Sequence, residues 1–333
     1  MRGIVALWIV IIHVAFHAEY GQPNWIKYLT LLIDVPAFFF ISGMTRKIIN
    51  KEMTSGALVK LALIFALLAA IFSGLQWNAI LNALTFQGIT VEHWDSFNWS
   101  YWFVPTYIIV LLFADTIIEK IDKYKYVIMV LLALVFPVLF LNPTLAANFH
   151  IFSVDSRHIA FYLALFLFGY FVREKIIGTE NQKKFAIVLV GISAYLYLGC
   201  YLYAGESVFN LQANKFPAQL PYVLASMLSV GAIIAIYRRN IVASGHVVKF
   251  LSHCGRNALF YYTGQVVGTG IIIKLAPWFN ERISLWSVKL VLFIPISIVL
   301  TIAAAELLRV IYNTTGRVLD KISTKLMEKK PAH

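Results

Sequence analysis

Residues 2–16 read RGIVALWIVIIHVAF, an apolar run that only Arg2 and His13 interrupt. In a helix, eleven residues at about 100° each bring the two side chains back to one face. At a rise of about 1.5 Å per residue they lie roughly 16 Å apart, about half the apolar thickness of a bilayer. Ionisable groups inside a membrane span are costly and usually functional. The run therefore predicts a site that lies within the membrane and is reached from one surface.

Composition extends this prediction to the whole chain. Hydrophobic residues make up 60% of the 333 residues, charged residues make up 13%, and the mean hydropathy is +0.76, outside the range of soluble proteins. We therefore predict an all-α polytopic membrane protein with about ten transmembrane helices. The predicted spans are 3–20, 26–44, 57–75, 101–118, 127–142, 158–172, 185–204, 219–237, 257–275 and 285–310.

The distribution of basic residues predicts the orientation. Loops on the side of the N-terminus carry Arg46, Lys47, Lys51, Lys120, Lys123, Lys125, Arg173, Lys175, Lys183, Lys184, Arg238, Arg239 and Lys249. The opposite loops carry only Lys27, Arg157, Lys215, Lys274 and Arg282. Cytoplasmic loops are enriched in Lys and Arg, so both termini are expected in the cytoplasm, with the protein in the inner (plasma) membrane. Residues 1–312 would form the transmembrane domain and 313–333 a basic cytoplasmic tail.

The net charge of +12 follows from this topology. It predicts contact with anionic membrane lipid and requires no nucleic-acid partner. The sequence leaves the oligomeric state open.

A second ionisable group lies in the second predicted span, whose residues 32–43 read LIDVPAFFFISG. Asp34 would lie at about the depth of His13, and Ser42 and Gly43 would lie near the level of Arg2. A carboxylate beside a histidine fixes its tautomer and stabilises the imidazolium, so we predict that His13 is a general base oriented by Asp34. The alternatives are a structural hydrogen bond for His13 and a helix-packing contact or substrate binding for Asp34.

Four motifs, taken in order, resemble those of the acyltransferase 3 family. The first is RGIVALWIVIIH at residues 2–13, with Arg and His separated by ten residues, and the second is DVPAFFFISG at 34–43. SYWFVP at 100–105 resembles the element that opens a later helix, and HCGRNALFYYTGQ at 253–265 resembles a late Gly-Arg-Asn helix. The ordered set covers the chain almost from end to end. Two departures are Gln265, where the family often has His, and Lys60, which stands alone where the family often has a basic cluster.

The resemblance implies an integral membrane enzyme that moves an acyl group, commonly acetyl, from cytoplasmic acyl-CoA to a hydroxyl. Acceptors in the family include surface glycans, peptidoglycan, antibiotics and lipids. Arg2 and His13 match the family's functional Arg and His, Ser42 and Gly43 match its second-helix motif, and Trp102 matches its third-motif aromatic. The expected donor is acetyl-CoA or another acyl-CoA, with no metal, and the expected acceptor is a glycan or lipid-linked sugar.

Further binding residues are predicted around this centre. Arg2 and Arg46 would neutralise the phosphates of coenzyme A, and Asn257 would lie on the donor side. Arg157 would contact the acceptor, and residues 214–217 (NKFP) would either line the acceptor entrance or anchor the chain at the interface. His17, one turn after His13, lacks a nearby third metal ligand and is expected to support His13.

Two other function classes fit the composition. The main alternative is a transporter or flippase for a lipid-linked sugar, against which stand the absence of internal repeats and the ordered motifs. The second alternative is a membrane sensor in which His13 and Asp34 are dispensable for turnover.

Overall fold

The computed structural model describes residues 1–18, 20–46, 51–85, 87, 94–145, 149–237 and 245–328, with the backbone alone at 51–61, 95, 144 and 315–328. The structure is 82% helical. Its helices are α1 Arg2–His17, α2 Asn24–Thr30, α3 Val35–Thr45, α4 Lys51–Phe72, α5 Trp77–Leu84, α6 Asp95–Tyr101, α7 Phe103–Lys120, α8 Lys125–Leu141, α9 Ser156–Lys175, α10 Gln182–Ala204, α11 Leu220–Ile236, α12 His246–Arg256, α13 Ala258–Arg282 and α14 Trp286–Glu328.

The prediction of an all-α membrane protein is confirmed. Among the described residues, five helical stretches are long and apolar enough to cross a membrane, and three shorter helices are also apolar. Each predicted span falls on one helix or, for the second span, on two. The number of spans and the side on which the termini lie stay predictions. The predicted boundary between residues 312 and 313 falls inside α14.

The helices form a buried centre and an outer layer. In the most apolar part of Asp122–Leu141 only 11% of the residues are buried in the protein, against 72% for Asn24–Thr45. The outer helices α8, α10 and α14 thus present apolar side chains to their surroundings, as lipid-facing helices do. The centre is built from α1, α3, α9 and α13, and these are the helices that carry most of the motif residues.

The second predicted span is not one continuous helix. It is broken between Thr30 and Val35, and Asp34 occupies the N-terminal cap position of α3 with an extended backbone. Pro36 favours the break, because a proline has no amide donor for the carbonyl group four residues earlier, that of Leu32, and its ring clashes with that carbonyl in a continuous helix. Asp34 therefore projects from a helix end and not from the side of a continuous helix.

Side chains of two neighbouring helices satisfy the backbone at this break. The indole of Trp8 on α1 donates to the carbonyl oxygen of Thr30 over 2.8 Å. The hydroxyl of Ser229 on α11 donates to the carbonyl oxygen of Leu32. Irregular backbone at membrane depth needs such partners, since the hydrocarbon core offers none.

Glycines let the central helices approach closely. A Cβ atom added at Gly43 on α3 would overlap the carbonyl oxygen of Phe166 on α9, and one added at Gly169 would overlap the carbonyl oxygen of Phe40.

Before α9, strands β1 His150–Ile151 and β2 Val154–Asp155 form an antiparallel hairpin.

Candidate active site

A cavity of about 340 Å³ lies at the His17 end of α1. It is bounded by α1, the start of α3, the segment around α6 and the loop that precedes α11. Its polar lining is His13, His17, Asp34, Gln212 and Lys215, and its aromatic lining is Phe16, Trp99, Trp102, Phe216 and Tyr262. A mostly apolar pocket with a few convergent polar groups is the usual form of a small-molecule site.

His13 is half-buried in the cavity wall. Its Nδ1 atom is buried and makes no hydrogen bond within the described part of the chain. The ring centroid of His17 lies 5.5 Å from that of His13, and His17 stacks on Trp99 with a centroid separation of 3.7 Å. This arrangement disfavours the alternative in which His13 serves as a structural hydrogen-bonding residue.

The predicted hydrogen bond between Asp34 and His13 is not formed. Asp34, with 2% of its surface exposed, accepts hydrogen bonds at Oδ2 from Lys215 Nζ over 2.6 Å and from Tyr222 Oη over 2.7 Å. The break before α3 turns the carboxylate toward the loop preceding α11, where a buried ammonium attracts it more strongly than a neutral ring does. Asp34 therefore lines the same cavity as His13 but does not orient it.

Lys215 is the partner of Asp34 that the sequence analysis did not predict. The two are 181 positions apart, and no local pattern connects them. The ammonium lies 5.4 Å from the ring centre of Trp102 and 5.1 Å from that of Phe216. His158 Nε2 contacts the carbonyl oxygen of Lys215 over 2.9 Å. The only sequence signal was the polar segment 214–217, predicted as an acceptor entrance or an interfacial anchor.

Arg2 and Ser42 meet at the opposite end of α1. Arg2 Nη2 donates to Ser42 Oγ over 3.1 Å, and the guanidinium lies 5.8 Å from the ring centre of Phe38. This contact confirms the predicted common depth of Arg2 and Ser42. The Nε atom of Arg2 is buried, and no described residue accepts a hydrogen bond from it.

A second polar cluster lies near Arg2. Helix α12 packs on α1, where a Cβ atom added at Gly3 would overlap the carbonyl oxygen of Leu251. Glu306 of α14 accepts hydrogen bonds from Tyr261 over 3.0 Å and Arg309 over 2.7 Å, and it contacts His253 over 2.7 Å.

Two predicted binding residues contact protein groups and not a ligand. Gly43 packs against the backbone of α9, which excludes a side chain there. Arg46 pairs with Asp115 over 2.6 Å and Glu119 over 3.6 Å, so carboxylates already neutralise its charge.

Two more predicted binding residues lie outside the cavity lining, whereas Trp102 belongs to it. Asn257 donates to the carbonyl oxygen of His253 over 3.1 Å. Arg157 binds Asp155 through two of its nitrogens, the closer over 2.6 Å. Burial alone would raise the pKa of Asp155, but the hydrogen bonds from Arg157 outweigh it and lower that pKa.

Within the described residues, no three His, Cys, Asp or Glu side chains are grouped so that they could hold a metal ion. His13 and His17 therefore have no third candidate metal ligand beside them in the described part of the chain.

Comparison with known proteins agrees with the motifs. The family model for the acyltransferase domain of the acyltransferase 3 type matches residues 1–308. The match includes all four sequence motifs, the cavity residues and the Arg2–Ser42 contact. Comparison with curated proteins and with solved structures finds no match.

Proposed function

The chain belongs to the acyltransferase 3 family of multi-pass membrane proteins, and we propose that it transfers an acyl group, acetyl in the first instance, from acyl-CoA to a hydroxyl. The proposed acceptor is a surface glycan or a lipid-linked sugar, and the proposed base is His13. One observation carries this assignment. His13 lines a cavity of substrate size and makes no hydrogen bond to the described residues, so its ring is available to a ligand.

The reaction needs one proton acceptor. The acceptor hydroxyl gives its proton to the ring of His13 as its oxygen bonds to the acyl carbon. The resulting intermediate collapses, the carbon–sulfur bond breaks, and the leaving thiolate takes the proton from His13. The products are the ester and free coenzyme A, and His13 returns to its neutral form.

The donor is proposed to approach from the Arg2 end. The positive-inside rule assigns this end to the cytoplasm, where acyl-CoA is made. Among the described residues the buried Nε of Arg2 has no hydrogen-bond partner, which suits the guanidinium to bind a phosphate of coenzyme A. Arg46, already neutralised, is assigned to packing between α3 and α7.

The acceptor is proposed to bind in the cavity at the His17 end. Trp102 and Phe216 offer aromatic surface to the apolar face of a sugar ring, and Gln212 and Asp34 offer hydrogen-bonding atoms to its hydroxyls. Donor and acceptor would thus approach from opposite sides of the membrane, with His13 between them.

The test uses membranes that contain the protein and radiolabelled acetyl-CoA. We expect label in a glycan or lipid fraction, and a loss of about 100-fold or more in His13→Ala, because general-base catalysis contributes about 10²–10⁴. His150→Ala is the matched control, since His150 is exposed on β1. Full labelling by well-expressed His13→Ala would contradict the assignment of the base.

A transporter or flippase is the second candidate, and the break between α2 and α3 favours it. Transporters often place their binding sites at discontinuous helices, and this break borders the cavity. Movement of the acceptor across the membrane without covalent label in the same experiment would identify this activity.

A further inference from the structure

A buried ammonium with unused hydrogen-bond donors shares the cavity with His13. Lys215 is 6% exposed and lines the cavity. An ammonium carries three N–H donors, and the described residues accept from it at a single atom, Asp34 Oδ2. Buried donors are normally satisfied, so those left over on Lys215 are available to an oxygen atom of a ligand.

The ammonium is held in place before any ligand arrives. Asp34 binds it directly, and Tyr222 holds the same carboxylate oxygen. The rings of Trp102 and Phe216 flank the ammonium, and His158 contacts the carbonyl oxygen of Lys215. Donors fixed in this way lose little by reorganisation during a reaction, which is the condition for effective electrostatic catalysis.

The Arg157–Asp155 pair shows what a structural ion pair looks like in this protein. There two nitrogens of the guanidinium meet both carboxylate oxygens, and the backbone amide of Arg157 adds another hydrogen bond to Oδ1. Neither residue lines the cavity. The Asp34–Lys215 pair differs because Oδ2 accepts both of its bonds and the ammonium faces the cavity.

We propose that Lys215 is a catalytic residue, which donates a hydrogen bond to the carbonyl oxygen of the acyl donor. The proposal rests on the acyl transfer proposed above. As the acceptor oxygen attacks, the carbon–oxygen π electrons move onto the carbonyl oxygen, and Lys215 stabilises the oxyanion without giving up its proton. When the carbonyl re-forms, the electron pair returns and the thiolate leaves with the proton held by His13.

Asp34, Tyr222 and His158 are then positioning residues for Lys215. Asp34 binds the ammonium, Tyr222 fixes the carboxylate, and His158 fixes the main chain. This gives the buried acid of the second motif a role through Lys215 instead of through His13.

The experiment must separate catalysis from folding, because removal of one partner leaves a buried charge unpaired. The double variant Asp34→Asn/Lys215→Met removes both charges together and keeps side chains of similar size. Both it and the wild type are purified in detergent, checked for a monodisperse profile, and assayed in vesicles with radiolabelled acetyl-CoA and the native membrane acceptor fraction. Lys289→Met is the matched control, because Lys289 is 6% exposed and lies outside the cavity lining.

We expect the folded double variant to lose on the order of 100-fold in kcat, the usual effect of removing one oxyanion donor, with little change in the KM for acetyl-CoA. Lys289→Met should keep wild-type kcat. A double variant with wild-type kcat would show that Lys215 is only the counter-ion of Asp34, and the proposal would be overturned. A higher KM for the acceptor fraction with unchanged kcat would assign the Asp34–Lys215 pair to acceptor binding and would also overturn the proposal.

Lys215→Arg provides a second measurement that does not break the ion pair. A guanidinium keeps the charge but places its donors in a larger, planar fork. We expect lower kcat at unchanged KM, and wild-type kcat would count against the proposal. Failure of the proposed function would be seen separately. A wild type that does not label the acceptor fraction would contradict acyl transfer, and an active His13→Ala would contradict the assignment of the base.

Discussion

At the scale of single residues, the buried acid and its partner show how far the sequence can be interpreted. An aspartate at membrane depth requires a partner, and the sequence predicted that requirement correctly. The predicted partner, His13, was wrong. The depth of residues in the membrane relates His13 and Asp34 on consecutive helices, but it does not reveal Lys215, which lies 181 positions from Asp34. The contact between Arg2 and Ser42 was predictable, since both residues lie on neighbouring helices at one depth.

The hydroxyl of Tyr222 should contribute measurably to stability. Tyr222 is fully buried and donates to the Asp34 carboxylate over 2.7 Å. Because hydrogen bonds to charged groups contribute about 1.5–3 kcal/mol, Tyr222→Phe should lower the free energy of unfolding by that amount. The measurement is the thermal unfolding midpoint in detergent, compared with Tyr195→Phe, whose ring is 76% exposed. Equal midpoints for the two variants would contradict the prediction.

At the scale of helices, the positions of the elements were more predictable than their continuity. Hydropathy located a helix under each predicted span, because long apolar segments in a membrane satisfy their own backbone. The break before α3 was missed although Pro36 signals it, since a proline at the start of a helix is tolerated and one in its interior is not. That signal was outweighed by the apolar run on either side. The side chains that hydrogen-bond to the broken backbone belong to other helices, and Ser229 lies 197 positions from its partner Leu32.

The close packing of α3 on α9 makes a glycine replacement informative. In Gly43→Ala the new methyl group meets the carbonyl oxygen of Phe166, so the helices must separate. Overpacking of this kind costs about 1–3 kcal/mol, and we expect a lower unfolding midpoint. Gly191→Ala on the outer helix α10 is the control, since no heavy atom lies within 4 Å of its new Cβ. Its midpoint should stay or rise, because alanine favours the helix.

At the scale of the whole molecule, orientation is the feature that the proposed function depends on most. The positive-inside rule predicts that the loop at Lys123 lies in the cytoplasm and that the loop at Glu206 lies outside. Both side chains are exposed, and the native Cys200 and Cys254 are buried. Lys123→Cys and Glu206→Cys are therefore suitable reporters of sidedness.

In right-side-out vesicles, a membrane-impermeant maleimide should label Glu206→Cys directly and Lys123→Cys only after the vesicles are opened. The unsubstituted protein controls for background labelling of its buried cysteines. The reverse pattern would place the cavity on the cytoplasmic side and bring donor and acceptor to the same surface.

The break between α2 and α3 has a mechanical consequence. Trp8 ties its backbone to the helix that carries His13, and Ser229 ties it to the helix that carries Tyr222. Because hydrogen bonds from two helices hold the backbone at the break, we expect the break to be rigid and not to act as a hinge. When the bilayer thins or thickens, we expect these three helices to tilt together. The distances between the residues that line the cavity would then change little with bilayer thickness.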